Sequence, residues 1–195
     1  MDSNISYRPY YHLSQDFSSP EGSDSHSSGF QSYREPNSQT IKNDKIETTV
    51  SVFDAAHYIL SRLSDKSCTT MKLHKLLYYC QAWSMVWTEK PIFNEKIEAW
   101  SSGPVVKDLF YFHKGSYSIH YSDITNGNEK LLSYDQKGVI DDVINFYGDK
   151  DPQWLIDLTH SEDPWIAARK GLSSNERGNR EITLDSMQVY YSSLK

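Results

Sequence analysis

The stretch that decides the fold is LHKLLYYCQAWSMVW, residues 73–87. It is free of charge after Lys75 and carries four large rings, Tyr78, Tyr79, Trp83 and Trp87. Placed at about 100° per residue, Leu73, Leu76, Cys80, Trp83 and Trp87 fall on one apolar stripe. Met71, Tyr78, Ala82 and Met85 fall on a second, and His74, Gln81, Ser84 and Thr88 form a polar ridge between the two. A helix with two apolar stripes is packed from two sides. The segment 69–89 is therefore expected to be the central helix of the domain, started by Thr69 or Thr70 as the capping residue.

The flanking segments read as further helices. SVFDAAHYILSRL has apolar residues at helical spacing, and Ser51 with Asp54 forms a capping-box pattern. DKSC reads as a turn. PIFNEKIEAW reads as two short extended pieces with a turn at Asn94-Glu95, a small hairpin. Gly103-Pro104 ends the extended piece, and Pro104 is placed at the first position of a helix that stops at Gly115. Residues 116–130 read as a loop. DQKGVIDDVINFYG is amphipathic, and DPQWLIDLTH and DPWIAARKG each open on Asp-Pro, a cap followed by a first helical turn. A last helix begins near Leu184. The expected fold is mainly α: about seven helices around the central one, with a minor β-hairpin.

Composition divides the chain. Residues 1–46 hold 11 serines, six acids and four bases. They read as a disordered tail that cannot bury enough apolar area to offset chain entropy. Within that tail ISYRPYYHLSQDF gathers Tyr7, Tyr10, Tyr11, Leu13 and Phe17, a candidate partner-binding segment with aromatic anchors. Residues 47–195 read as the folded domain and hold all five tryptophans.

The chain of 195 residues carries a formal net charge of −6. That balance argues against nucleic acid as a partner, which calls for a basic stripe. No apolar run is long enough to span a membrane, and no export signal opens the chain, so a cytoplasmic location is expected. Cys68 and Cys80 read as free thiols in a reducing compartment. No phosphate-binding glycine loop, zinc spacing or nucleophile elbow occurs. No catalytic, cofactor or metal residues are therefore assigned, and the five domain histidines fall in different elements.

Two stretches stand out beyond the central helix. IEAWSSGPVV suggests Trp100 closing over a Gly-Pro turn. LTHSEDPW, residues 158–165, places Thr159, His160 and Asp163 at a helix-to-helix break. Asp163 is expected to cap the next helix, and His160 to hydrogen-bond a nearby backbone group or Glu162. Thr159, His160 and Asp163 are accordingly candidate partner-binding residues.

These residues carry a family resemblance. LHKLLYYCQAW, IFNEKIEAWSSGPVVKDLF and LTHSEDPWIAAR resemble, in order, three motifs of the Panacea domain, the SocA-like antitoxin family. The matching positions are Leu76, Leu77, Tyr78, Tyr79, Ala99, Trp100, Gly103, Pro104, Val105, His160, Pro164 and Trp165. The chain departs from the pattern at His74 and Cys80, and the resemblance spans roughly residues 50–192. It implies a helical fold in the cytoplasm and the role of an antitoxin in a bacterial or phage toxin–antitoxin pair. Such an antitoxin neutralises a cognate toxin by direct binding. The SocA member implies an alternative, an adaptor that delivers the toxin to the ClpXP protease. The physical reading makes most motif residues scaffold and puts specificity on loops and tail. An enzyme using His160 and a DNA-binding autoregulator are the competing readings.

Overall fold

A computed structural model describes residues 49–194. The expectations for Tyr7, Tyr10, Tyr11, Leu13, Phe17 and the rest of residues 1–46 lie outside it. Among the described residues there are seven α-helices: α1 (Val52–Arg62), α2 (Thr70–Trp87), α3 (Lys107–His113), α4 (Tyr134–Tyr147), α5 (Pro152–His160), α6 (Asp163–Ala168) and α7 (Leu184–Ser193). Four short strands join them: β1 (Ser67–Thr69), β2 (Ile97–Trp100), β3 (Gly103–Val106) and β4 (Ser118–His120). They form two antiparallel pairs, β1 with β4 and β2 with β3.

α2 is the axis of the molecule. Its 18 residues begin at Thr69, whose hydroxyl accepts the Lys72 N–H. Every residue from Leu73 to Val86 is buried, because α1, α4, α5, α7, β1 and β3 all pack against it. The expectation of a central helix holds, and burial goes further than two stripes. The ridge of His74, Gln81 and Ser84 is buried as well. A polar group in such a place must be satisfied, and these side chains serve irregular backbone. Gln81 Oε1 accepts the N–H groups of Ile92 (2.9 Å) and Phe93 (3.4 Å), while its Nε2 donates to Phe93 O at 2.8 Å. Ser84 Oγ donates to Lys90 O at 2.7 Å. His74 Nδ1 accepts the Val106 N–H at 3.2 Å.

That ridge explains where the hairpin lies. The turn expected at Asn94-Glu95 does not join two strands, because Gln81 supplies the bonds a partner strand would give to residues 92 and 93. The hairpin is instead β2–β3, with Ala99 opposite Pro104 and Trp100 opposite Gly103. Pro104 therefore sits in a strand and not at a helix start. β3 is the outer strand of its pair, the place where a residue without an N–H is tolerated. The two β-branched valines that follow keep the backbone extended, so α3 begins only at Lys107. On the other side of β2, residues 180–182 run alongside: Ala99 N donates to Arg180 O and Ile182 N to Ile97 O, both at 2.8 Å.

Residues 67–69 and 118–120 correct two further readings. They pair as strands, where a turn and a loop are expected. Each is only three residues long, too short to show a period. The helix caps at Ser51, Ser133, Asp151 and Thr183 are all formed by the side chains. Cys68 and Cys80 are both free thiols.

Candidate functional site

The motif stretches converge where the β2–β3 hairpin meets α2 and the α5–α6 corner. Leu76, Leu77, Tyr78, Tyr79 and Ala99 have no exposed surface, and Trp100, Val105 and Pro164 are buried. Gly103 opens β3 at φ +100°, a left-handed backbone that favours glycine. A Cβ there would fall 2.6 Å from Lys75 Cε and 3.1 Å from Thr159 Oγ1. With no Cβ at 103 the strand passes this close to Lys75; a Cβ there would require the lysine side chain to shift.

Lys75 lies directly beneath. It is fully buried, and its Nζ donates to Pro104 O at 3.1 Å and sits 3.4 Å from Met71 Sδ. Loss of hydration pushes its pKa down to about 7. Next to it, His74 and His113 bring their Nε2 atoms to 2.8 Å. His74 Nδ1 accepts the Val106 N–H, so it carries no proton. The His74 proton is then on Nε2 and is donated to His113, which leaves the His113 proton on Nδ1. Desolvation first, then the Lys75 and His113 charges, hold His74 well below the usual imidazole range.

The α5–α6 corner is a latch on the hairpin. Trp165 Nε1 donates to Trp100 O at 3.0 Å. Arg169 is buried and spans four carbonyls: Ala99 O (3.0 Å), Ser173 O (2.8 Å), Ser174 O (3.3 Å) and Glu176 O (2.8 Å). Its guanidinium also lies 5.2 Å from the Trp165 ring centre, and Arg177 lies 4.5 Å from that of Trp100.

Within the corner the sequence expectations need correcting. Asp163 is the first residue of α6 and does not cap it. Glu162 occupies the cap position and makes no capping bond, because its carboxylate points inward to Tyr191 Oη (2.7 Å) and Tyr79 Oη (3.3 Å). Burial pushes the Glu162 pKa up to about 8. His160 bonds neither backbone nor Glu162 through its Nε2, which is buried without a hydrogen-bond partner. Its ring instead stacks on Trp165, centres 4.0 Å apart and planes 16° apart. Desolvation first, then Lys75, lowers its pKa. Thr159 is fully buried, with its hydroxyl donated to Ile156 O at 2.9 Å, and so has no surface to offer a partner.

Lys75, Glu162 and Arg169 are the residues that sequence reasoning leaves out of its candidate set. One signal was available for Lys75: it is the last charge before an uncharged run on a helix apolar on two sides. Nothing local distinguishes Glu162 from a surface acid. Among the described residues no group of three or more His, Cys, Asp or Glu side chains is placed to hold a metal ion. No helix among them is long and apolar enough to cross a membrane.

Residues 73–166 match the family described as Antitoxin SocA-like, Panacea domain. The match runs from the first residue of the opening stretch to the residue after Trp165, so it holds the first two motif stretches whole and the third as far as Ile166. That span of the chain is similar to the SocA-like Panacea domain. No curated protein and no solved structure matches it.

Proposed function

We propose that the protein is the antitoxin of a bacterial or phage toxin–antitoxin pair and neutralises its toxin by direct protein–protein binding in the cytoplasm. The observation that carries this reading is the antitoxin-family match over residues 73–166. The burial of the motif residues supports a division of labour, with the motifs as scaffold and the variable surface as the binding face. The exposed rings of α3 and the segment after it suit such a face: Tyr111 is 54% exposed, Phe112 43% and Tyr117 83%. Tyrosine and other aromatic side chains supply much of the energy of protein interfaces, and an interface of about 1,600 Å² is enough for tight binding when well packed.

The test is co-purification of the tagged full chain with the product of the adjacent open reading frame, followed by a toxin assay with purified components. A stoichiometric complex with blocked toxin activity supports the reading. Failure to associate, or a complex in which the toxin stays active, overturns direct neutralisation. A toxin half-life that depends on both this chain and ClpXP would then mark the protein as an adaptor.

A further inference from the structure

Glu98 of β2, Lys107 and Tyr111 of α3, and Arg177 and Asn179 line a surface recess of about 310 Å³. Lys107 and Tyr111 are four residues apart on α3 and so share one face of it. The chain as a whole carries a formal net charge of −6, yet this recess has two bases and one acid. The acid is engaged on both oxygens. Glu98 Oε2 accepts the Trp100 indole N–H at 2.8 Å, and Oε1 lies 3.7 Å from Lys107 Nζ.

Arg177 is differently placed. Among the described residues its guanidinium has no hydrogen bond and no ion pair. It lies against the Trp100 ring, 4.5 Å from the ring centre, a cation–π contact that leaves its N–H donors free. The fold holds it there from both sides. Before it, Arg169 binds the carbonyls of Ser173, Ser174 and Glu176. After it, Gly178 is buried, and a Cβ on Gly178 would run into Ala99 O and Arg169 Nη1. Arg180 O then accepts the Ala99 N–H. The Trp100 ring is fixed in turn by Glu98 and by Phe110, whose ring meets it edge-on at 4.7 Å. The latch thus sets one uncompensated guanidinium at the recess. The Tyr111 hydroxyl and the Asn179 side-chain amide also have no hydrogen-bond partner among the described residues.

The chemistry of the occupant follows. A guanidinium offers paired donors that match the two oxygens of a carboxylate. Two bases less one acid leave a single positive charge, which one carboxylate balances. A phosphate dianion would stay half-neutralised and would face Glu98. Tyr111 and its neighbour Phe112 are both exposed, so an apolar group beside the carboxylate has aromatic surface to rest on. Arginine and aromatic side chains on a rigid support are the usual anchors of a protein interface.

We propose that this recess is a docking point for a protein partner: it takes one Asp or Glu side chain between Arg177 and Lys107, with an apolar neighbour of that acid on Tyr111 and Phe112. That the partner is the toxin rests on the neutralisation reading above; the carboxylate chemistry does not.

The experiment has two arms, both on the full chain. In the first, N-acetyl-aspartyl-phenylalaninamide is titrated while the NMR signals of the Trp100 indole N–H and the Asn179 side-chain amide are followed. Both should shift saturably. The shifts should vanish in Arg177→Gln and be absent with the asparaginyl analogue of the probe. Arg177 is exposed, so its replacement leaves the core intact. No shift, shifts centred on another face, or an equal response to the asparaginyl analogue overturns the proposal. So does inorganic phosphate that displaces the probe at a roughly tenfold lower concentration, since the guanidinium would then serve a phosphate. The second arm measures affinity for the product of the adjacent open reading frame by calorimetry. Arg177→Gln should weaken it by about tenfold or more, and reversing the charge of one acid on that product should restore the affinity that Arg177→Glu removes. Unchanged affinity in Arg177→Gln overturns the proposal and leaves neutralisation standing. No binding by the wild-type chain overturns neutralisation instead, and the probe then decides the recess alone.

Discussion

The hydroxyl of Tyr191 lies 2.7 Å from Glu162 Oε2 and 3.2 Å from the Tyr78 hydroxyl. One residue of α7 thus ties the α5–α6 corner to the central helix through a buried polar chain. Around it Tyr79 and Tyr147 stack at 4.2 Å with planes 9° apart, and Trp83 Nε1 donates to Tyr147 Oη at 3.3 Å. The interior is aromatic, and its polar groups face one another. A carboxyl enclosed in this way is held in its neutral form.

That state gives the first prediction. The Glu162 carboxyl ionises at an ordinary 4.5 when unfolded and at about 8 when folded. Between those values folding takes up a proton, so this group's contribution to stability falls as pH rises through the window and levels off above it. Glu162→Gln keeps an acceptor for Tyr191 and cannot ionise. The stability difference between the variant and the wild type should shift in the variant's favour by up to ~1.4 kcal/mol per pH unit across the window. Parallel curves in denaturant unfolding at stepped pH would show that Glu162 is ionised in the fold.

Lys75 carries the opposite sign. Its amine titrates near 7 in the fold and near 10.5 in an unfolded chain. Over that interval the unfolded chain holds the extra proton, so stability rises with pH. Lys75→Met has a similar shape and no charge to bury. It should be at its most favourable relative to the wild type at neutral pH and below, and should lose that advantage by up to ~1.4 kcal/mol per unit as pH climbs toward 10.5. Equal pH slopes for the two proteins between 7 and 10.5 would refute a neutral lysine.

How much of this was legible in the sequence follows from the distance over which each feature is encoded. Caps are local, and Ser51, Thr69 and Asp151 were readable because a cap and its partner lie two or three residues apart. The central helix was readable because α2 shows apolar character on more than one side. The hairpin was misplaced because Gln81, 11 or 12 positions before its partners, does the work of a strand there. Likewise Glu162 reads as an acid within reach of His160 until Tyr191, 29 positions later, takes it inward. Of the candidate site, the motif positions were visible in order, but not their burial. Thr159 looks like a surface hydroxyl at a helix break and is in fact covered by the hairpin.

Arg169 should be the residue of the latch least replaceable by a similar one. Its bonds to Ala99, Ser173 and Glu176 use the fork of a guanidinium, which a single ammonium cannot reproduce. Arg169→Lys is expected to cost about 2 kcal/mol, in the range of hydrogen bonds from a charged group. Limited proteolysis should show faster cleavage within residues 173–179, while α2 keeps its hydrogen-exchange protection. Uniform loss of protection over the whole domain would mean that the latch and the core open together.

The sharpest test of the corner is Gly103→Ala. The substitution forces a Cβ into a left-handed backbone and sets it 2.6 Å from Lys75 Cε and 2.7 Å from Nζ. The conformation costs about 1 kcal/mol or more for a non-glycine residue, and the clash adds a term of the size of core overpacking, about 1–3 kcal/mol. The two parts are separable, because only the second involves Lys75. In the Lys75→Ala background only the 3.1 Å approach to Thr159 Oγ1 remains, so Gly103→Ala should cost little beyond the backbone part. A double-mutant cycle read by denaturant unfolding should then give a coupling of at least about 1 kcal/mol in the sense of rescue. Additive costs would mean that Lys75 moves aside freely, and that its side chain does not set how closely β3 approaches the central helix.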